Sequence, residues 1–196
     1  MNYPISFTFK LAAFASKISA TDASGNEVLF VQQKAFKLKE DIRVYSNESK
    51  TEEKFVIKAD RIIDFGANYH FFDAQGNECG GVKREGMASL WKATYNISQG
   101  SNVDFQFKEE NGWIKVLDAL LSEIPILGIL TGYFFNPSYI LSRVSDGSQI
   151  MRLKKEASFF GRRFRLDMLN DQFDDSEEMR LIMSVLIAMI LERRRG

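Results

Sequence analysis

Apolar and polar positions alternate through the first half of the chain. Ile5-Ser6-Phe7-Thr8-Phe9 and Phe36-Lys37-Leu38-Lys39 do so with period two, as does Asp41 to Tyr45. That period places alternate side chains on the two faces of a β-strand. Between the first two stretches lies Asp22-Ala23-Ser24-Gly25-Asn26-Glu27. It reads as a turn, because Asp and Asn side chains bond the local backbone and Gly takes positive φ. The strand Val28 to Lys34 follows. Nearly the same turn returns at Asp73-Ala74-Gln75-Gly76-Asn77-Glu78, leading to Gly81-Val82-Lys83-Arg84 and then Ala88 to Ile97. A looser copy comprises Tyr139 to Arg143, the turn Asp146-Gly147, Ile150 to Lys155 and Arg162 to Leu166. Three copies in order predict a sheet of repeated hairpins, arranged as a barrel or a sandwich.

Two segments depart from this pattern. Trp113, Val116, Leu117, Leu120, Leu121 and Ile124 recur at helical spacing, entered through Asn111-Gly112 and stopped by Pro125. The apolar run Ile126 to Phe135 follows. Counted from Ile124 it is about 12 residues, too short for a helical membrane span. The segment is expected to cap one end of the barrel. Trp113, Leu117 and Leu120 are the candidates for a partner surface there.

The second departure is Asp174 to Arg195, acidic at its start, basic at its end and apolar on every side between. Such a helix needs burial all round, in a protein core or in lipid. Its uncharged centre, Leu181 to Leu191, falls short of the roughly 18 apolar residues of a span. About 18 helical residues give roughly 27 Å, a length that suits the inside of a barrel. A barrel wide enough to hold a helix needs about a dozen strands. Asp175 with Glu178 predicts the N-terminal capping box, and Asp174 and Glu177 add negative charge there. The expected fold is mainly β (α+β): about twelve antiparallel strands in a β-barrel closed around a central hydrophobic C-terminal helix. It forms one domain over 1–196, with barrel strands in 3–107 and 138–168, an insert at 111–137 and the central helix at 175–194.

Charge and composition narrow the chemistry. The 26 basic and 26 acidic residues cancel, which argues against a general nucleic-acid binder. The single cysteine, Cys79, excludes an internal disulfide and a Cys-based zinc site, and it suits a reducing, cytoplasmic setting. Lys10 and Lys17 interrupt the apolar N-terminus, so no signal peptide is expected. His70 is the only histidine, no nucleophile elbow is present, and no catalytic residue, metal ligand or cofactor is assigned. Gly76, Gly80 and Gly81 read as hairpin glycines, Cys79 as a small packed or turn residue.

Basic residues supply the best local candidate. Arg152 and Lys154 share one strand face, and Arg163 and Arg165 share a face of the next strand. Paired as a hairpin through Glu156 to Gly161, they would crowd four cations on one outer surface. Such a surface is unfavourable unless acids or an anion relieve it. Acids on neighbouring strands would make it an ordinary solvated face. Lys83 and Arg84 hold the equivalent place in the second unit.

The chain resembles the tubby-like superfamily, and within it LURP-one-related and phospholipid scramblase-like proteins of bacterial type. The resemblance is carried by Phe30-Val31-Gln32-Gln33-Lys34-Ala35-Phe36, by the Asp73/Gly76 turn with Val82-Lys83-Arg84, by Tyr95-Asn96-Ile97, and by Asp146-Gly147 through Lys154-Lys155 to Phe164-Arg165-Leu166. It implies a barrel of hairpins around a C-terminal helix. Tubby domains bind phosphoinositide head groups, and scramblases are linked to lipid movement. The cysteine-rich and proline-rich segments of scramblases are absent here, and no Asp-rich loop has EF-hand spacing. The resemblance thus implies a non-enzymatic binding module for an anionic phospholipid or a protein partner, in peripheral contact with a membrane. The alternatives are a scramblase-like protein with its C-terminal helix in lipid and, ranked last, an enzyme.

Overall fold

The structure, a computed structural model, describes residues 1–12, 15–34, 41–61, 66–85, 94–110, 138–156 and 162–193. The insert at 111–137, with Trp113, Leu117 and Leu120, lies outside them. The described residues include twelve strands: β1 (Ile5–Ala12), β2 (Ala15–Thr21), β3 (Glu27–Lys34), β4 (Ile42–Tyr45), β5 (Glu53–Ala59), β6 (Asn68–Asp73), β7 (Glu78–Arg84), β8 (Thr94–Gln99), β9 (Asn102–Glu109), β10 (Ser138–Arg143), β11 (Gln149–Glu156) and β12 (Arg162–Met168). Each pairs antiparallel with its neighbours in sequence, and β1 pairs with β12 to close the barrel, Ile5 opposite Leu166 and Phe9 opposite Arg162. Closure removes the unpaired strand edges that invite aggregation.

A helix, α1 (Asp175–Arg193), fills the lumen. No residue from Leu181 to Leu191 is more than 6% exposed, so the helix has no solvent face. Strand spacing and tilt give a twelve-stranded barrel a diameter of roughly 25 Å. A helix with its side chains is about 10–12 Å across. Bulky inward side chains must fill the annulus, and Phe7, Tyr69, Phe71, Tyr95, Phe105 and Phe107 do so, each fully buried. Among the described residues no helix is long and apolar enough to cross a membrane.

The two ends of the barrel differ. At the near end, where α1 begins, tight turns join the strands. Asp22 accepts the backbone N–H groups of Ser24 and Asn26, and Gly25 has φ +82°. Asp73 does the same for Gln75 and Asn77, and Asp146 for Ser148. The repeated turn read from the sequence is therefore three real turns on one rim. At the far end, where α1 finishes, most connections are longer.

The start of α1 corrects the sequence reading by one residue. The capping box is Asp174 with Glu177: Asp174 Oδ1 accepts the Glu177 N–H at 2.8 Å, and Glu177 Oε2 accepts the Asp174 N–H at 3.2 Å. Arg143 grips the same Glu177 with two N–H groups, at 3.1 and 3.2 Å, and lies over the Phe105 ring. Glu178 is freed from capping and is buried.

Gly80 and Gly81 are not hairpin glycines; they lie inside β7. A Cβ on Gly80 would sit 2.5 Å from Arg180 Cδ and from the Ser98 carbonyl oxygen, and φ is +121°. The glycine makes room for Arg180, a buried arginine of α1 whose Nη2 is 3.4 Å from Asp104. Gly81 lies against the Tyr69 carbonyl, 2.6 Å from where its Cβ would stand.

Candidate anion-binding surface

The alternation of β11 and β12 decides which side chains can form a surface. Met151, Leu153 and Leu166 point inward and are buried, so Arg152, Lys154, Arg163 and Arg165 point outward. The register places Lys154 opposite Arg165, Arg152 opposite Asp167 and Glu156 opposite Arg163. The hairpin inferred from the sequence is therefore present, with acids interleaved.

Those acids neutralise half of the group. Arg152 is half-buried, and its Nη2 donates to Glu110 Oε1 at 2.9 Å. Glu110 also accepts the Ser138 hydroxyl at 2.8 Å, which fixes the pair across β10. Arg165 Nε donates to Asp167 Oδ1 at 2.7 Å, and that carboxylate holds the guanidinium above its ordinary pKa. Lys154 and Arg163 are exposed and make no ion pair among the described residues. The like-charged pair Lys154 and Arg165 is left on the open surface, and such a pair is relieved by a shared anion.

Closure of the barrel adds two residues that sequence reasoning missed. Thr8 of β1 is opposite Arg163, and Ser6 is opposite Arg165. Both sit on outward positions of β1, since Ile5, Phe7 and Phe9 are buried. Their hydroxyls put neutral donors beside the guanidinium groups, a combination that suits phosphate oxygens. The strand alternation of β1 was legible; its pairing with the last strand of the chain was not.

The second-unit candidates fall elsewhere. Lys83 is exposed on β7, with β8, β9 and β10 between it and β11. Arg84, its neighbour in the strand, turns inward, is 6% exposed, and has its guanidinium carbon 6.0 Å from the Tyr95 ring centre. Adjacent residues of one strand cannot both face out, so Arg84 is not part of an outer patch.

Other reactive groups are engaged locally. His70 Nδ1 is 2.7 Å from Glu78 Oε1, and its Nε2 is 3.1 Å from the Asn68 side-chain amide. Burial pushes the Cys79 thiol pKa up, away from the reactive thiolate. Among the described residues no three His, Cys, Asp or Glu side chains converge as a metal site.

A family model described as LURP-one-related matches residues 27–190, from β3 into α1. No curated protein and no solved structure matches the chain.

Proposed function

Since the chain belongs to the LURP-one-related family, within the tubby-like superfamily, we propose that it is a non-enzymatic binding module for phosphate-bearing head groups of anionic phospholipids. The observation that carries this reading is the surface of β11, β12 and β1. There Lys154 and Arg163 stand without ion pairs among the described residues, beside Arg165, Ser6 and Thr8. The lumen is filled by α1 and aromatic side chains, so a ligand has the outer wall to bind. Moving α1 into lipid would empty that lumen and expose its aromatic lining, which disfavours the helix-inserted alternative. Peripheral contact through the outer wall requires no such rearrangement.

A phosphate at this surface would accept N–H groups from Arg163 and Lys154 and hydroxyl protons from Thr8 and Ser6. Arg165 would divide its donors between the phosphate and Asp167. The test is co-sedimentation with phosphatidylserine-containing vesicles against pure phosphatidylcholine vesicles, with K154A/R163A in parallel. Binding that is confined to the anionic vesicles and falls in the double variant supports the reading. Equal binding to both vesicles, or none, removes it and leaves a protein partner for this surface.

A further inference from the structure

The cations of the barrel are sorted along its axis. Arg143 pairs with Glu177, Arg43 with Glu53 and Lys54 with Glu52, all toward the near end or the middle. By contrast Lys10, Lys58, Lys83, Lys108, Lys154 and Arg163 are exposed and form no ion pair among the described residues. They belong to β1, β5, β7, β9, β11 and β12, and every one lies within three residues of the far end of its strand. The antiparallel order requires this: the five odd-numbered strands run from near to far end and β12 runs back. Together the six cations form a collar around the far rim.

The acids are sorted the opposite way. The near-end connections carry Asp22, Glu48, Glu52, Asp146, Asp171 and Asp174 against the single cation Lys50. At the far end, Asp60 is occupied by Arg61 and Glu110 by Arg152, Glu85 accepts the Asn96 amide, and Glu156 faces Arg163 in register. Apart from the exposed Asp41 at the far end, the described residues are thus sorted by charge from end to end. In the sequence Arg194 and Arg195 follow Arg193, the last residue of α1.

From this arrangement we propose that the barrel stands end-on, far rim down, on an anionic bilayer surface. The inference rests on the lipid reading above and adds the orientation and a second set of contacts. β5 and β11 are six strands apart in a barrel of twelve, so Lys58 and Lys154 lie on opposite sides. Their separation is on the order of the 25 Å diameter, which no single head group bridges. A plane across the rim meets all six cations at once, whereas a nucleic-acid rod meets only a chord of the ring. The acidic near end faces away and opposes the inverted pose.

The experiment compares two sets of exposed substitutions in the full chain. K58A/K83A/K108A runs round the rim from β5, opposite β11, through β7 to β9, two strands from β11, and shares no residue with K154A/R163A. At about fivefold per cation near an anionic surface, the triple variant is expected to bind phosphatidylserine-containing vesicles roughly a hundredfold more weakly, with a shallower salt dependence. Thermal unfolding unchanged from the parent shows that the variants are folded. If the triple variant binds like the parent while K154A/R163A does not, the end-on pose is overturned and the local head-group site stands. If neither set changes binding, both are overturned. Heparin or duplex DNA binding as tight as the vesicles, and lost in the same variants, would replace the bilayer with a general polyanion and overturn the proposal.

Discussion

At the near end of the barrel, the turn aspartates and the helix cap hold the chain; at the far end, a ring of charges is left over. The near-end aspartates receive backbone N–H groups in the tight turns, and Glu177 takes both the Asp174 N–H and the Arg143 guanidinium. The six far-end cations have no ion-pairing partner among the described residues. A charge that closes a turn or caps a helix contributes to stability, and changing it is felt in folding. A charge that leans into water contributes little to stability and remains available to a ligand. The two ends thus separate what builds the protein from what it presents.

Substitutions can break or sharpen this contrast. The largest effect is expected at Gly80→Ala on the near-end half of β7. The added Cβ meets a backbone oxygen and Arg180 while φ stays positive. Strain and overpacking together should cost about 4 kcal/mol, read by urea denaturation; a loss under 1 kcal/mol would show that Arg180 has room to move. Arg143→Ala removes the double clamp on Glu177 from a mostly shielded site. A loss of about 2 kcal/mol is expected in the same assay. Asp174→Ala deletes the cap that α1 uses, at about 1 kcal/mol. Asp175→Ala should cost less, and the reverse order would return the capping box to Asp175 and Glu178.

A smaller effect is expected from acid. Asp73 is held below the ordinary carboxylate range by the Asn77 side chain and backbone N–H, and Asp146 by the Ser148 N–H and hydroxyl. A depressed folded pKa means stability that is present above the unfolded value, about 4 for Asp, and lost as pH falls through the folded value. The parent should therefore lose more thermal stability than Asp73→Asn between neutral and acid pH; parallel pH profiles would refute the turn's contribution. The smallest effect belongs to the far rim: K58A/K83A/K108A should change stability by no more than about 0.5 kcal/mol. A large loss there would mean that the collar is structural after all, and the contrast between the ends would fail.

Much of this was legible in the chain. The three Asp/Gly turns carry their own hydrogen bonds within four or five residues, so local sequence suffices to read them. The all-apolar Leu181 to Leu191 needs burial whatever surrounds it, and its length chooses a protein core over a bilayer. The surface was half legible. Alternation placed Arg152, Lys154, Arg163 and Arg165 on one face, and applied to Lys83 and Arg84 it would also have separated them. Glu110 reaches Arg152 from beyond a 27-residue undescribed segment, 111–137, and nothing local announces that pair.

The chain by itself thus determined most of the strands, though not β2, β5 or β9, together with three turns and the helix that must be enclosed, because period, backbone chemistry and hydrophobicity act over a few residues. Only the tertiary structure decided which charges are neutralised, that Ser6 and Thr8 stand beside Arg165 and Arg163, and that six scattered cations share a rim. Ion pairs and rims depend on strand register and on closure between the first and last strands. Those are set by packing around the helix, across nearly the whole length of the sequence.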